Sequence, residues 1–456
     1  MFDALFTTTT EYKKLSHALS GKGACALFGL PASGRAQVYA ALCRQLDKPL
    51  CIVTPGEAEA TRFAADLNTL GIPAAVFPAR DYVLRPIEGT AREYEYRRLA
   101  VLGELVGGRL RAVAVPAEAL TQFTTPKEDF CANTRTLHAG DTLLRDDLLA
   151  ALFGAGYTRR AQVDGPGQFS VRGDIVDIFA PDQKMPVRME FWGDEIDTLH
   201  TFDLTTQRRE DAIDKFYLSP AREVLFGKPA DAAEQLRAFL AKQRGKKKTA
   251  MADCMAADLD LLDGGAVPVN MDKYLAVRYP HPATVLDYFD DPILVAEEPA
   301  SIREADRATA YRRGEELKSL ILDGVLCAGL DNLYADPSYL WSKTGHYRTI
   351  CAENFARSMP DQPLKDIINA PAHTLPAWNG EVAGLLEDLK PLCDAGYTVT
   401  LLAGTDRAAA GLARDLRDKG ILVTTDAVAA PAAGLVQVLA GHLSAGANFR
   451  LPSMLC

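Results

Sequence analysis

The stretch from Gln168 to Asp203 constrains the fold most. It alternates apolar and polar side chains with a period of two and is broken at Gly173, which predicts consecutive antiparallel strands. From Val187 the two sides sort cleanly. Val187, Met189 and Phe191 point one way, while Arg188, Glu190 and Trp192 point the other. A tryptophan on the same face as an arginine and a glutamate has two readings. It is an amphipathic indole lying across a half-solvated sheet, or an exposed anchor of the kind in which binding energy concentrates.

Upstream, strands alternate with helices. Ala24–Gly29, Leu50–Thr54, Ala74–Phe77 and Arg111–Val115 read as buried strands. Helices are expected over Gly34–Leu46, Ala58–Leu70 and Thr90–Leu105, so this part is predicted to be a parallel α/β layer. After Pro126 the character changes to α+β, with a helix near Leu143–Phe153 and strands from Tyr157 to Asp203. Mixed α/β character returns from Arg222. A helix is expected over Asp231–Gln243, core strands over Val285–Phe289 and Ile293–Pro299, and a long charged helix over Ile302–Leu322. Asp331–Arg357 reads as a connecting stretch. From Pro371 a small α/β unit follows, with helices over Asn379–Ala395 and Asp406–Lys419, strands at Thr398–Ala403 and Ile421–Thr424, and strand-like residues over Gly434–Leu443. Asn448–Cys456 reads as a further strand cut short.

A chain of 456 residues is long enough for three or four domains. The net charge of -10 argues against coating nucleic acid by electrostatics alone. Arg244-Gly245-Lys246-Lys247-Lys248 is the densest positive run, and it reads as a solvated helix end favoured by the helix dipole. Nine scattered cysteines without a CxxC pair, and no signal peptide at Met1–Leu5, predict reduced thiols in a cytoplasmic protein. No apolar run approaches the ~20 residues that span a bilayer, so no membrane role is expected. No metal site is expected.

The turn after the first strand, Gly29-Leu30-Pro31-Ala32-Ser33-Gly34-Arg35-Ala36, aligns with the phosphate-cradling pattern GxxxxGK[ST]. Gly29 and Gly34 are in place and the strand-loop-helix context is right. Arg35 replaces the lysine that reaches the outer phosphates, and Ala36 replaces the hydroxyl that holds magnesium. A degenerate structural turn is expected, without catalytic ATP turnover, although its helix N-terminus could still accept an anion. Glu297-Glu298, where helicase-like folds place a metal-binding acidic pair, reads as a fossil or a surface turn.

Phe169-Ser170-Val171-Arg172-Gly173-Asp174-Ile175-Val176-Asp177-Ile178-Phe179, followed by Val187–Asp197, resembles the UvrA-contacting module shared by UvrB and the bacterial transcription-repair coupling factor (Mfd) family. Phe77–Tyr82 with Gly89-Thr90, and Tyr94–Leu99, are similar to the coupling factors. The decayed phosphate loop, and the lack of a long tyrosine-rich hairpin, separate the chain from UvrB. The resemblance implies a multidomain α/β protein. Its expected parts are a degenerate RecA/UvrB-like α/β layer (1–126 and 220–345), an inserted α+β UvrA-binding module (127–219) and a separate small α/β domain (346–456).

The resemblance further implies UvrA recruitment in transcription-coupled nucleotide excision repair, by protein-protein binding and without enzymatic activity in this chain. The implied contacts are Arg172, Arg188 and Trp192, the last at a position where the family often has phenylalanine. Two guanidiniums could pair bidentately with partner carboxylates. Whole members continue into an RNA-polymerase-binding domain, two translocase lobes and a carboxy-terminal domain. RNA polymerase, DNA, ATP and Mg²⁺ are therefore expected only through those parts. The alternative is an ATP-dependent DNA helicase or translocase of UvrB type.

Overall fold

The computed structural model describes residues 7, 9–86, 92–355, 359, 362–375, 382–427 and 432–449. Gly89-Thr90, the expected helix starts at 90 and 379, and the chain from 450 onward lie outside these residues.

The first block carries β1 (Gly23–Phe28), β2 (Leu50–Thr54), β3 (Ala74–Val76) and β4 (Ala112–Pro116). Between them run helices Ala32–Leu46, Glu57–Thr69 and Glu93–Val106. Strands β2 and β4 are buried along their whole length, as strands covered by helices on both faces must be.

The chain then leaves this layer for β5 (Arg135–His138), helix Arg145–Gly154, β6 (Thr158–Arg159), β7 (Gln168–Arg172), β8 (Ile175–Phe179), β9 (Val187–Trp192), β10 (Glu195–Phe202), β11 (Arg209–Ala212) and β12 (Lys215–Leu218). Six of these strands form one sheet in the order β11-β10-β9-β8-β7-β6, and β12 pairs with β5. Leu148 and Leu152 of the helix pack into a core with Phe169, Val176, Met189 and Phe191. The helix thus covers one face of the sheet.

Helices Pro229–Ala241 and Gly245–Asp263 follow. With a turn over Met271–Arg278 and the segment 317–334 they enclose a core of their own around Met251, Met255, Tyr274 and Leu330. The three lysines 246–248 stand in the first turn of the second helix, not at the end of the first. They are exposed at the end of the dipole that disfavours cations, so the expected dipole stabilisation is corrected.

Val285–Tyr288, expected as a strand, is a 3-10 turn. Its composition suits either state, but Thr284 and Asp287 cap it reciprocally and close the turn. Then come β13 (Ile293–Glu297), helix Pro299–Leu322, β14 (Arg348–Glu353) and β15 (Leu364–Asn369). The main sheet runs β15-β1-β14-β13-β2-β4-β3, with every neighbouring pair parallel. Strand β14, read in the sequence as part of a connection, is thus an inner strand. Together β14 and β15 carry the main layer past the expected division at 345/346.

The remaining residues form β16 (Ala372–Leu375), helix Val382–Asp394, β17 (Val399–Leu402), helix Asp406–Asp418, β18 (Val423–Thr424), β19 (Val436–Leu439) and β20 (Gly446–Phe449). A three-stranded sheet, β17-β19-β18, holds Val436 and Val438 against Leu412 and Leu416. The chain then folds back onto the main layer. Asp66 accepts hydrogen bonds from Ser444 N (2.8 Å) and Ser444 Oγ (2.6 Å), and Leu443 and Phe449 pack on the core around the helix Ala32–Leu46.

A buried ionic network ties the layer, the module exit and the helical unit together. Arg98, with no exposed surface, meets Glu223 through Nε–Oε1 (2.6 Å) and Nη2–Oε2 (3.2 Å), and donates to Gln122 Oε1 (2.9 Å). Arg80 meets Asp272 (2.7 and 3.2 Å) and approaches Glu223 Oε1 at 3.3 Å. Glu95 accepts from Glu223 N at 3.0 Å. Burial opposes its ionisation, but Arg80, Arg222 and Arg92 outweigh burial and hold its carboxyl down to about 2. The segments 77–82 and 94–99 therefore carry the joint of the fold.

Candidate docking face and the decayed phosphate loop

Antiparallel register builds the face of the six-stranded sheet turned away from the helix Arg145–Gly154, part of which is buried where Val163 and Leu204 pack with Phe179 and Phe202. Ser170 lies opposite Asp177, Asp177 opposite Arg188, and Arg188 opposite His200. One row towards the hairpin tips, Arg172 lies opposite Ile175, Ile175 opposite Glu190, and Glu190 opposite Thr198. Trp192 follows Glu190 two places along β9, so it shares that side and ends beside the β9–β10 turn. Gly173 (φ +61°) and Gly193 (φ +63°) let both hairpins turn tightly at this end of the sheet. Phe191 N donates to Asp174 O at 2.8 Å and locks the two tips together.

The three expected contact residues differ. Trp192 is 83% exposed, far beyond any other aromatic of the module. Arg172 is exposed and makes one hydrogen bond, from Nη2 to Ala161 O (3.2 Å). Arg188 is spent internally. Its Nε and Nη2 pair with Asp177 Oδ1 and Oδ2 (2.7 and 2.9 Å), Nη1 donates to Gln207 O (3.2 Å), and the guanidinium lies 4.8 Å over the Phe202 ring. The Asp177 side chain is 1% exposed. The expectation that Arg188 offers a free bidentate fork is therefore corrected, because a buried carboxylate one strand away already holds it. Glu190 is likewise engaged, by Arg209 and by Thr198 Oγ1. Asp177 escaped the sequence reading, although the alternation of β8 puts it on the side of the sheet opposite Val176 and Ile178.

The loop after β1 is closed by charge. Arg35 is buried and its Nη2 lies 2.9 Å from both Glu297 Oε2 and Glu298 Oε1, while Nη1 donates to Leu30 O (3.3 Å). Tyr39 donates to Glu297 Oε1. Burial raises the Glu297 carboxyl to about 7 even against Arg35, with Glu298 adding to the rise. Glu297 is no surface turn, as its side chain is 2% exposed. Ala36 is fully buried and offers no oxygen to a metal. At Gly29 (φ +88°) a Cβ would meet Asn369 Oδ1 at 2.9 Å, and at Gly34 it would meet Phe449 Cζ at 3.2 Å. Both glycines thus serve close packing. A cavity of about 330 Å³ remains between Arg35, Arg62, Phe63, Glu298 and Ser444. Among the described residues no cluster of His, Cys, Asp and Glu could hold a metal ion, and no helix is long and apolar enough to cross a membrane.

Residues 136–224 match the family model of the UvrB interaction domain, so the face that carries Trp192 belongs to a module of that class, set into the parallel α/β layer. Over 440 residues, 94% of this chain, the sequence is 26% identical to the transcription-repair-coupling factor of Bacillus subtilis strain 168. It is 25% identical over 439 residues to that of Staphylococcus haemolyticus strain JCSC1435, and 23% identical over 435 residues to that of Staphylococcus aureus strain MRSA252. The chain spans 37% of the length of each of these relatives. Over this length the chain is similar to the amino-terminal portion of those transcription-repair coupling factors.

Proposed function

We propose that this chain recruits UvrA during transcription-coupled nucleotide excision repair, by docking through the Trp192 face of its UvrB interaction domain and without hydrolysing ATP. The observation that carries the reading is an exposed indole, Trp192, and an exposed guanidinium, Arg172, both at the hairpin-tip end of the sheet face turned away from the helix Arg145–Gly154. The indole supplies a large apolar anchor and the guanidinium a fork for a carboxylate. Arg188 acts as a positioning residue that holds β8 and β9 in register through Asp177. The protein works in the cytoplasm and needs no cofactor for this step. RNA polymerase, DNA and ATP are engaged by parts of the longer protein outside this chain.

Calorimetric titration of the chain with UvrA tests this reading. Arg172→Ala is expected to weaken binding by roughly 1–3 kcal/mol and to leave the melting temperature unchanged. Arg188→Ala is expected to weaken binding by a similar amount and to lower stability as well, because Asp177 would lose its partner in a buried setting. Equal affinity of wild type and both variants would exclude this face.

The competing reading, an ATP-driven helicase of UvrB type, places its nucleotide where Arg35 is bound to two carboxylates. The purified chain is expected to hydrolyse no ATP above background, and turnover abolished by Arg35→Ala would reverse that conclusion.

A further inference from the structure

The lysines 246–248 stand where neither charge nor packing favours them. Between Glu234 and Asp253 the chain carries no acidic residue but six cations, Arg237, Lys242, Arg244, Lys246, Lys247 and Lys248. Arg237 is neutralised by Asp263. The other five are exposed, and among the described residues none of them enters an ion pair. Lys247 lies along Gly329, where a Cβ would meet its Nζ at 3.3 Å, and Asp331, two residues on, spends Oδ1 on the Gly329 amide (2.8 Å). Cations in the first turn of the helix Gly245–Asp263 oppose its dipole, and Arg244 and Lys248, four apart, repel each other. A chain of net charge -10 thus keeps five like charges within residues 242–248, with no return in stability.

We propose that residues 242–248 form a docking patch for the phosphate backbone of duplex DNA, separate from the Trp192 face and additional to the DNA contacts of parts outside this chain. The chemistry around the patch selects that partner. Its other members are Gln243 and Gly245, and Thr249 and Ala250 follow, so no aromatic or large aliphatic side chain is at hand to anchor a protein partner. A membrane surface would need an apolar face, yet Met251, Met255 and Leu262 of this helix are buried in the helical core. What is left is charge alone, and backbone phosphates are held by charge, whatever the sequence. A duplex presents about one phosphate per 1.7 Å of its axis, a denser line of charge than a single strand offers. The negative charge of the rest of the chain confines the contact to this patch, so binding is weak and strongly salt-dependent.

Fluorescence anisotropy of a labelled mixed-sequence duplex, titrated with the full chain between about 50 and 200 mM salt, tests the patch. Each phosphate contact contributes about -0.9 to the slope of log affinity against log salt. The triple variant Lys246→Gln, Lys247→Gln, Lys248→Gln is therefore expected to flatten that slope by about 2–3 and to weaken binding about tenfold or more at the lowest salt. It should melt no lower than wild type, because removing cations from the first turn relieves the dipole. Lys13→Gln with Lys14→Gln, exposed on the helix Thr10–Ala18, makes the chain more negative away from the patch and should leave the slope unchanged. A second duplex of unrelated sequence should bind equally well. UvrA affinity should be the same in the triple variant as in wild type, so failure here leaves the Trp192 reading standing. No binding by wild type at low salt, or an unchanged slope in the triple variant, overturns the proposal. Tighter binding to single-stranded RNA than to the duplex overturns it as well, by assigning the patch to RNA.

Discussion

Arg98→Ala is expected to destabilise the chain by about 3–5 kcal/mol, the cost of stranding a buried charge by removing its partner. Glu223 is without exposed surface, and two of its contacts are the Nε and Nη2 of Arg98. Water cannot replace them. Arg80 would remain 3.3 Å from Glu223 Oε1, but its Nη1 and Nη2 are already committed to Asp272. Gln122 Oε1 and the Pro78 carbonyl would lose a donor as well. Arg98→Lys is expected to recover little, since a single ammonium cannot span both carboxylate oxygens and the amide. Urea titration followed by circular dichroism measures the loss. Because the network joins Pro78, Glu223 and Asp272, the module and the helical unit should loosen in the same transition. A loss below about 1 kcal/mol would show that the network is dispensable to the joint.

The division between what the sequence disclosed and what it withheld follows sequence distance. Strands β1, β2 and β4 are short apolar runs bounded by turns, which is enough to find a strand covered on both sides. Strand β14 was missed because Arg348 and Glu353 bracket only four uncharged residues, and its place between β1 and β13 depends on partners far along the chain. Val285–Tyr288 misled in the other direction, although Thr284 and Asp287, three apart, were a legible capping signal. The exposed position of Trp192 follows from alternation alone. The neutralisation of Arg188 needed the register that sets Asp177 opposite it, and alternation does not give register. Arg35 shows the limit most plainly. The loop pattern revealed that phosphate chemistry was lost, but Glu297 lies 262 residues away (297 minus 35), so nothing local announced the ion pair.

Trp192→Ala should weaken UvrA binding by roughly 2–4 kcal/mol, about 30- to 1000-fold, without lowering stability. The indole is 83% exposed beside a hairpin turn, so truncating it opens no cavity and breaks no internal hydrogen bond. Substitutions at such sites usually stay within about 0.5 kcal/mol of wild type. Burying roughly 150–200 Å² of indole in a partner would contribute about 4–5 kcal/mol at 25 cal/mol per Å², and ordering costs reduce what remains. Phenylalanine at this position should keep most of the affinity, because it preserves a flat apolar anchor, whereas lysine should abolish binding. The comparison with Arg188→Ala separates the two roles on this face. Loss of the arginine should change both melting temperature and affinity, and loss of the tryptophan only affinity. If Trp192→Ala binds UvrA as tightly as wild type while melting at the same temperature, the Trp192 face is not where UvrA docks.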